Sequence, residues 1–413
     1  MQRLEKFIYN LVKNNSFIKN ILVIVYQFVF CFFGLIKGKI VTDNNYTEIR
    51  NSFFGFHDRA SMNEQGKVLS HVAKGNFQNG IGRADITVKD INTGETSVVA
   101  NTNCCNYQQG SLLTWFSPSE IIYNDANEQG PLTIIKDLSS GVIKTLPFHF
   151  FSVSANSKFV SSVNFLRFGK GLEGYGYDIN FPEQYIEDGE NNLSDAEISD
   201  FVIFDIDENE TVYRLSIQQA KELSIGLIDE GYYYFSHSCF SPSSNKVYFL
   251  LRSSNSLYNT SQLFSYDLNE KQLTALPSGG MVSHLSWLTD DSIIAFCNAK
   301  HDKSFAYYVF NLLDNSVVNG DIKGLGKDGH PHACSADIFY TDTYPDKERR
   351  QHLFYVNLPE KRVKTILSVY SPIKFRGVGR VDFHPRLSLC KNYMTIDTSH
   401  NSDRTQLILE LRN

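Results

Sequence analysis

The sequence predicts an all-β chain, a seven-bladed β-propeller with an apolar helix at its N-terminus, and three observations carry that prediction. A short inner-strand pattern recurs seven times, most clearly as Ser236-His237-Ser238-Cys239-Phe240-Ser241-Pro242, and five copies begin on a histidine: His57, His237, His284, His330 and His384. The last four are spaced by roughly 45–55 residues, the length of one four-stranded blade. Between them the chain reads strand, turn, strand with little helical periodicity, and 13% of its residues are aromatic, which suits pleated surfaces.

Taken in order, residues 1–40 form a separate segment and residues 41–413 the propeller. Ile21 to Ile36 is a run of 16 residues with Gln27 as its one strongly polar side chain, preceded by Arg3, Lys6, Lys13 and Lys19 and followed by Lys37 and Lys39. As a helix it measures about 24 Å, short of the roughly 30 Å hydrocarbon core, so either marginal spanning or in-plane insertion fits. Cations at both ends favour a membrane-associated helix over a buried one. The expected location is the inner membrane, with the cytoplasmic face favoured for the propeller.

Blade one runs from Phe53 through Val68–Val72 to Ala84–Asp90 and a turn at Ile91-Asn92-Thr93-Gly94-Glu95. Blade two passes Trp115-Phe116-Ser117-Pro118 and Thr133–Lys136. Blade three opens at Phe151-Ser152-Val153-Ser154 but reaches its third strand only at Phe201–Ile206. The stretch from Gly169 to Asp200 between them reads as a long acidic loop. Blade four is the most regular, and blades five and six repeat it. Blade seven has Tyr393–Asp397 and Gln406–Leu411 and then stops one strand short. Lys39–Thr42 or Tyr46–Ile49 must supply the missing outer strand, because ring closure removes the open edge.

A net charge of −6 gives no basic field for nucleic acid. Seven cysteines at irregular spacing fit neither a disulfide framework nor a zinc knuckle, so free thiols are expected. No Ser-His-Asp order, P-loop or dinucleotide fingerprint is present.

Equivalent positions on inner strands share one height around a propeller axis, so the five histidines form a ring lining the channel. Any one of them can be an inter-blade lock; five together are more than a scaffold needs. His71, His149, His301 and His352 fall off this register. His330 and His332, two apart on a strand, face the same way. With His284 they offer three nitrogen donors to a divalent metal. Around them lie candidates for binding an anionic sugar: Arg376, Arg380 and Arg386 beside His384, and Arg167, Arg252, Gln108 and Gln109 at strand ends elsewhere. Tyr175-Gly176-Tyr177 fits a sugar-stacking platform or a packed glycine turn equally. Asp58 and Asp382 are the carboxylates a glycoside hydrolase would need near the channel.

Ser-His before Phe-Ser-Pro at 236–242, Ser-His before Trp at 283–287, His-Pro-His at 330–332 and Asp-Phe-His-Pro-Arg at 382–386 resemble the oligogalacturonate lyases and their relatives of surface-polysaccharide loci. The resemblance spans about Asn51 to Asn413. It implies β-elimination on a uronate chain, a manganese ion on His284, His330 and His332, and His237 as base. Arg380 and His384 join His237 as expected catalytic residues. His57, Gln108, Gln109, Arg167, Arg252, Arg376 and Arg386 are expected to bind an acidic oligo- or polysaccharide. The family's glutamine ligand has no counterpart: Lys327 stands there, and Asp328 or water is the substitute. Phe53-Phe54-Gly55-Phe56-His57-Asp58 and Gln108-Gln109-Gly110 look like segments of the membrane-attached relatives. A non-catalytic propeller holding a glycan or protein is the alternative function.

Overall fold

The structure, a computed structural model, describes residues 30, 32–177, 199–225, 231–255, 259–299, 305–320 and 322–411. Most of the apolar run, Cys31, His301 and most of the acidic loop lie outside these residues. Among the described residues the strands form seven antiparallel sheets. Blade four is the pattern for the rest: Tyr232–Phe240, Lys246–Ser254, Asn259–Asp267 and Gln272–Ala275 pair in sequence order. Its second strand reads as a continuous apolar run, Val247 to Leu251, because both its faces are covered by neighbouring blades. Rings stack across that boundary, with Phe201 of blade three 3.9 Å from Phe249 of blade four.

Closure uses both N-terminal candidates. Tyr46–Arg50 pairs with Thr405–Glu410 and completes blade seven, while Ile40–Thr42 adds a fifth strand to blade six against Arg362–Tyr370. Blade six also grips the end of the preceding segment, since Arg350 Nη1 donates to the carbonyls of Gly34 (2.9 Å) and Gly38 (2.7 Å). Deleting residues 1–34 should therefore leave a cooperatively folding domain, whereas deleting 1–50 should abolish a single thermal transition followed by circular dichroism. Equal melting of the two truncations would show that closure does not depend on these strands.

The turn between the third and fourth strands is more regular than the sequence reading recognised. Asp90, Asp137, Asp205 and Asp267 each accept backbone N–H bonds from residues two and three further on. Asn311 and Asn357 stand at the same place in blades five and six. These hydrogen bonds, that of the Ser139 hydroxyl first, hold the Asp137 carboxyl down at about 2.

Two short helices were not expected, Phe165–Gly171 and Ile217–Leu223; the second starts on a Ser216–Gln219 capping box. Among the described residues no helix is long and apolar enough to cross a membrane. Six cysteines are described and all are free thiols.

Candidate functional site

The five register histidines meet at the centre of the ring, each 6% exposed or less. Phe56 stands among them, its ring centroid 4.5 Å from that of His57, 5.2 Å from His384, 5.3 Å from His237, 6.2 Å from His330 and 6.4 Å from His284. His237 and His384 sit at φ 53° and 46°, a left-handed conformation uncommon for a residue with a Cβ. A shift in strand register between Ser236 and Cys239 accompanies the first. Such backbone costs on the order of 1–3 kcal/mol and concentrates where a side chain must be aimed.

Burial pushes the pKa of His57, His237 and His384 well below the ordinary histidine value, and neighbouring charges add to it, so these imidazoles are neutral. His284 is lowered for the same reason, against the pull of Asp328. His330 differs. Burial would lower it, but the Asp342 carboxylate accepts from its Nδ1–H at 2.8 Å and holds it above the ordinary value. That bond also leaves Nε2 as the free ring nitrogen, the arrangement by which a carboxylate orients a metal-binding imidazole.

His330 Nε2, His384 Nε2 and Asp382 Oδ1 are buried and have no hydrogen-bond partner among the described residues. His330, His384 and Asp382 offer ligand atoms within 4.8 Å of one another and so form a group able to hold a metal ion. Two imidazoles and a carboxylate suit a borderline or hard divalent ion such as zinc or manganese.

This group differs from the expected ligand set, of which it contains His330 alone. His332 lies one step further along the strand than His330, half-buried, and its Nδ1–H donates to the His57 carbonyl at 2.7 Å. It faces a different space. His284 remains close, its ring 4.1 Å from that of His330, with Asp328 on its Nδ1 at 3.2 Å. Asp328 thus orients an imidazole and also accepts from Ser283 Oγ. His384, expected to be catalytic, is one of the three residues of that geometric group.

The arginines divide. Arg380 is 30% exposed, pairs with Asp382 at 2.6 Å and reaches the Tyr175 hydroxyl at 3.3 Å. Arg252 donates from Nε to Ser236 Oγ and from Nη2 to the Ser283 carbonyl, beside His237 and His284. Arg386 is fully buried, bound to Asp397 at 2.9 Å and to the Gly55 carbonyl at 2.8 Å, so it joins blade seven to blade one and meets no ligand. Arg167 is held by Asp200 and the Tyr233 carbonyl, and Arg376 is exposed on the loop 372–380.

Gln108 and Gln109 are buried under that loop. Gln108 Nε2 donates to the Val378 and Arg380 carbonyls, each at 3.4 Å. The following Gly110, at φ 61°, fits only without a side chain, since a Cβ would lie 2.3 Å from His71 Cε1. Tyr175 and Tyr177 are packed, the latter stacked on Phe165, so the turn is not an open platform. His71 and His149, off the register, are buried neutral groups lowered to about 4 by burial.

Asp342 was missed from the sequence, as was the position of Phe56. Asp342 accepts from the His330 N–H (2.7 Å), the His330 Nδ1–H and the His384 N–H (3.1 Å). The signal was present in the repeat. Asn124 in blade two and Asp397 in blade seven occupy the second strand likewise and bind backbone N–H groups of the next blade.

No protein-family model matches the chain, and no curated protein sequence does. Solved structures match in fold. An oligogalacturonate lyase in complex with manganese aligns at TM-score 0.60 and 9% identity, over 91% of this chain and 98% of that one. The oligogalacturonate lyase of Vibrio parahaemolyticus gives 0.58 and 9%, over 91% and 99%. The propeller domain of the Pyrococcus furiosus Trilobed protease gives 0.51 and 10%, over 87% and 95%. The chain thus has the seven-bladed propeller fold of the oligogalacturonate lyases.

Proposed function

We propose that the protein is a polysaccharide lyase that cleaves a uronate-containing glycan by metal-assisted β-elimination. The observation that supports this reading most is the trio of buried ligand atoms without a partner among the described residues, His330 Nε2, Asp382 Oδ1 and His384 Nε2, with Arg380 on the other oxygen of Asp382. A divalent ion there, manganese by analogy with the first matched structure, would neutralise charge on a uronate carboxylate. Arg380 and Arg252 are the cations placed to hold that carboxylate. His237 Nδ1 is hydrogen-bonded to Ser236 Oγ at 2.9 Å and Nε2 has no partner among the described residues; in the tautomer with the proton on Nδ1, Nε2 is a neutral base. It takes the proton α to the carboxylate. The C–O bond β to it breaks, its electron pair leaves with the oxygen, which takes up a proton, and the C–H pair becomes the new double bond.

The two-carboxylate glycosidase reading loses support, because both Asp58 oxygens are bound by Arg59. A non-catalytic glycan- or protein-binding propeller remains the second reading, favoured by how completely the histidines are buried. We also assign residues 1–40 to attachment at the inner membrane, on the cytoplasmic face; the exposed Phe32, Phe33 and Ile36 support this.

The test is absorbance of a 4,5-unsaturated uronate when purified protein and manganese meet acidic polysaccharides. His237→Ala should lower the rate by about two to four orders of magnitude with metal content unchanged. No product from any uronate chain, with metal bound, would leave the binding propeller in front.

A further inference from the structure

The residues three past the register histidines, Ala60, Phe240, Trp287 and Ala333, line a cavity of about 640 Å3 at the far end of the inner strands. That volume lies within the roughly 300–1,000 Å3 range of small-molecule sites. Both tryptophans of the chain, Trp115 and Trp287, are on its wall, 9% and 6% exposed. Each indole is fixed by an Nε1–H bond to the chain of another blade, Trp115 to the Ser61 carbonyl (3.1 Å) and Trp287 to the Cys239 carbonyl (3.0 Å). Aromatic surface is thus presented without further ordering cost.

The charge on this wall is already spent. Asp58 and Arg59 form a bidentate pair, 5% and 7% exposed, and Arg59 also donates to the Leu112 and Phe151 carbonyls. The remaining charged side chain on the wall is Glu64, which disfavours an anion. The Cys239 thiol is pushed up to about 12 by burial and by Asp58, so it supplies no nucleophile. The other polar groups named on the wall are neutral: Ser154, Ser241, Ser286 and Asn63, each with part of its hydrogen-bonding capacity used within the chain, and the His332 imidazole. Because His332 Nδ1–H is committed to the His57 carbonyl, its Nε2 is an acceptor for a hydroxyl.

We propose that this cavity binds a neutral oligosaccharide, at a site separate from the His330–Asp382–His384 group. Fixed indoles meet the apolar faces of sugar rings, and small hydroxyl and amide groups meet their hydroxyls. Among the described residues of the wall there is no cation for an acidic chain other than the paired Arg59.

Because both tryptophans line the cavity, intrinsic tryptophan emission reports on it. The full chain, stripped of metal with EDTA, is titrated with maltohexaose, cellohexaose and xylohexaose, and in parallel with oligogalacturonate. A saturable emission change with at least one neutral series, unaffected by added manganese and smaller by at least tenfold in affinity for Ala155→Arg, is expected. Ala155 is exposed on the cavity rim, so this substitution blocks the space without removing a packed group. Trp287→Phe gives a second readout, loss of the part of the signal that Trp287 carries. No response to any neutral sugar, an equal response to oligogalacturonate, or full binding by Ala155→Arg with the wild-type melting temperature would overturn the proposal. None of these outcomes depends on whether the chain is a lyase.

Discussion

His330→Ala is expected to abolish manganese binding measured by calorimetry, because it removes one of three ligands that face one another within 4.8 Å. Asp342→Asn should be milder and more informative. It keeps the shape of the side chain but removes the charge that orients His330, so the ring loses its fixed tautomer and its aim. Outer carboxylates of this kind contribute about 10–100-fold in metal affinity, and a drop of that size is the expected result, with a lowered melting temperature because the amide NH2 replaces an acceptor of the His330 or His384 N–H. His332→Ala should leave manganese affinity unaltered, since its Nδ1 serves the His57 carbonyl. Loss of binding in His332→Ala with retention in His330→Ala would reverse the assignment.

The second large effect lies at the closure of the ring. Arg386 and Asp397 are 0% and 4% exposed, and Asp397 also accepts from the N–H groups of Phe54 and Gly55 in blade one. Arg386→Met retains most of the packed length over Phe54 but leaves a carboxylate buried without its cation. The cost of such a half-broken pair is about 3–5 kcal/mol. Urea unfolding followed by far-UV circular dichroism measures it. The double variant Arg386→Met, Asp397→Leu should recover part of the loss, because it removes the stranded charge. A single variant within 1 kcal/mol of wild type, by the same curve, would mean that the pair is replaceable and closure rests on the Tyr46–Arg50 strand alone.

The repeat was readable because each blade must put the same kind of side chain at the same height. A histidine before Trp287 or Phe240 therefore marks an inner strand even without any relative for comparison. The strand that closes blade seven was legible, as one of two candidates, because a last blade one strand short demands an outer strand from elsewhere; the fifth strand that Ile40–Thr42 adds to blade six was not. What the pattern could not give was height along the axis. The pattern puts His330 and His332 on one strand face, yet residues two apart are about 6.6 Å apart along a strand, the strand itself covers only His332–Ala333, and the two imidazoles meet different partners. Nor could it separate an arginine that waits for an anion from one already paired. Arg380 and Arg386 look alike in Arg380-Val381-Asp382-Phe383-His384-Pro385-Arg386, and only packing distinguishes the half-open Arg380 from Arg386, sealed against Asp397. Asp342 escaped notice because its partners, His330 and His384, are remote in sequence and belong to different blades.

Phe56 has a consequence for how a polymer could be handled. With its ring 2% exposed and wedged among five imidazoles, it makes the axis of the propeller a dead end and not a tunnel. A glycan strand cannot be threaded from one face to the other. On the lyase reading proposed above, a chain that reaches the histidines would back out by the way it entered, which would favour release after each cut over processive travel, and ends or short fragments over the interior of a long strand.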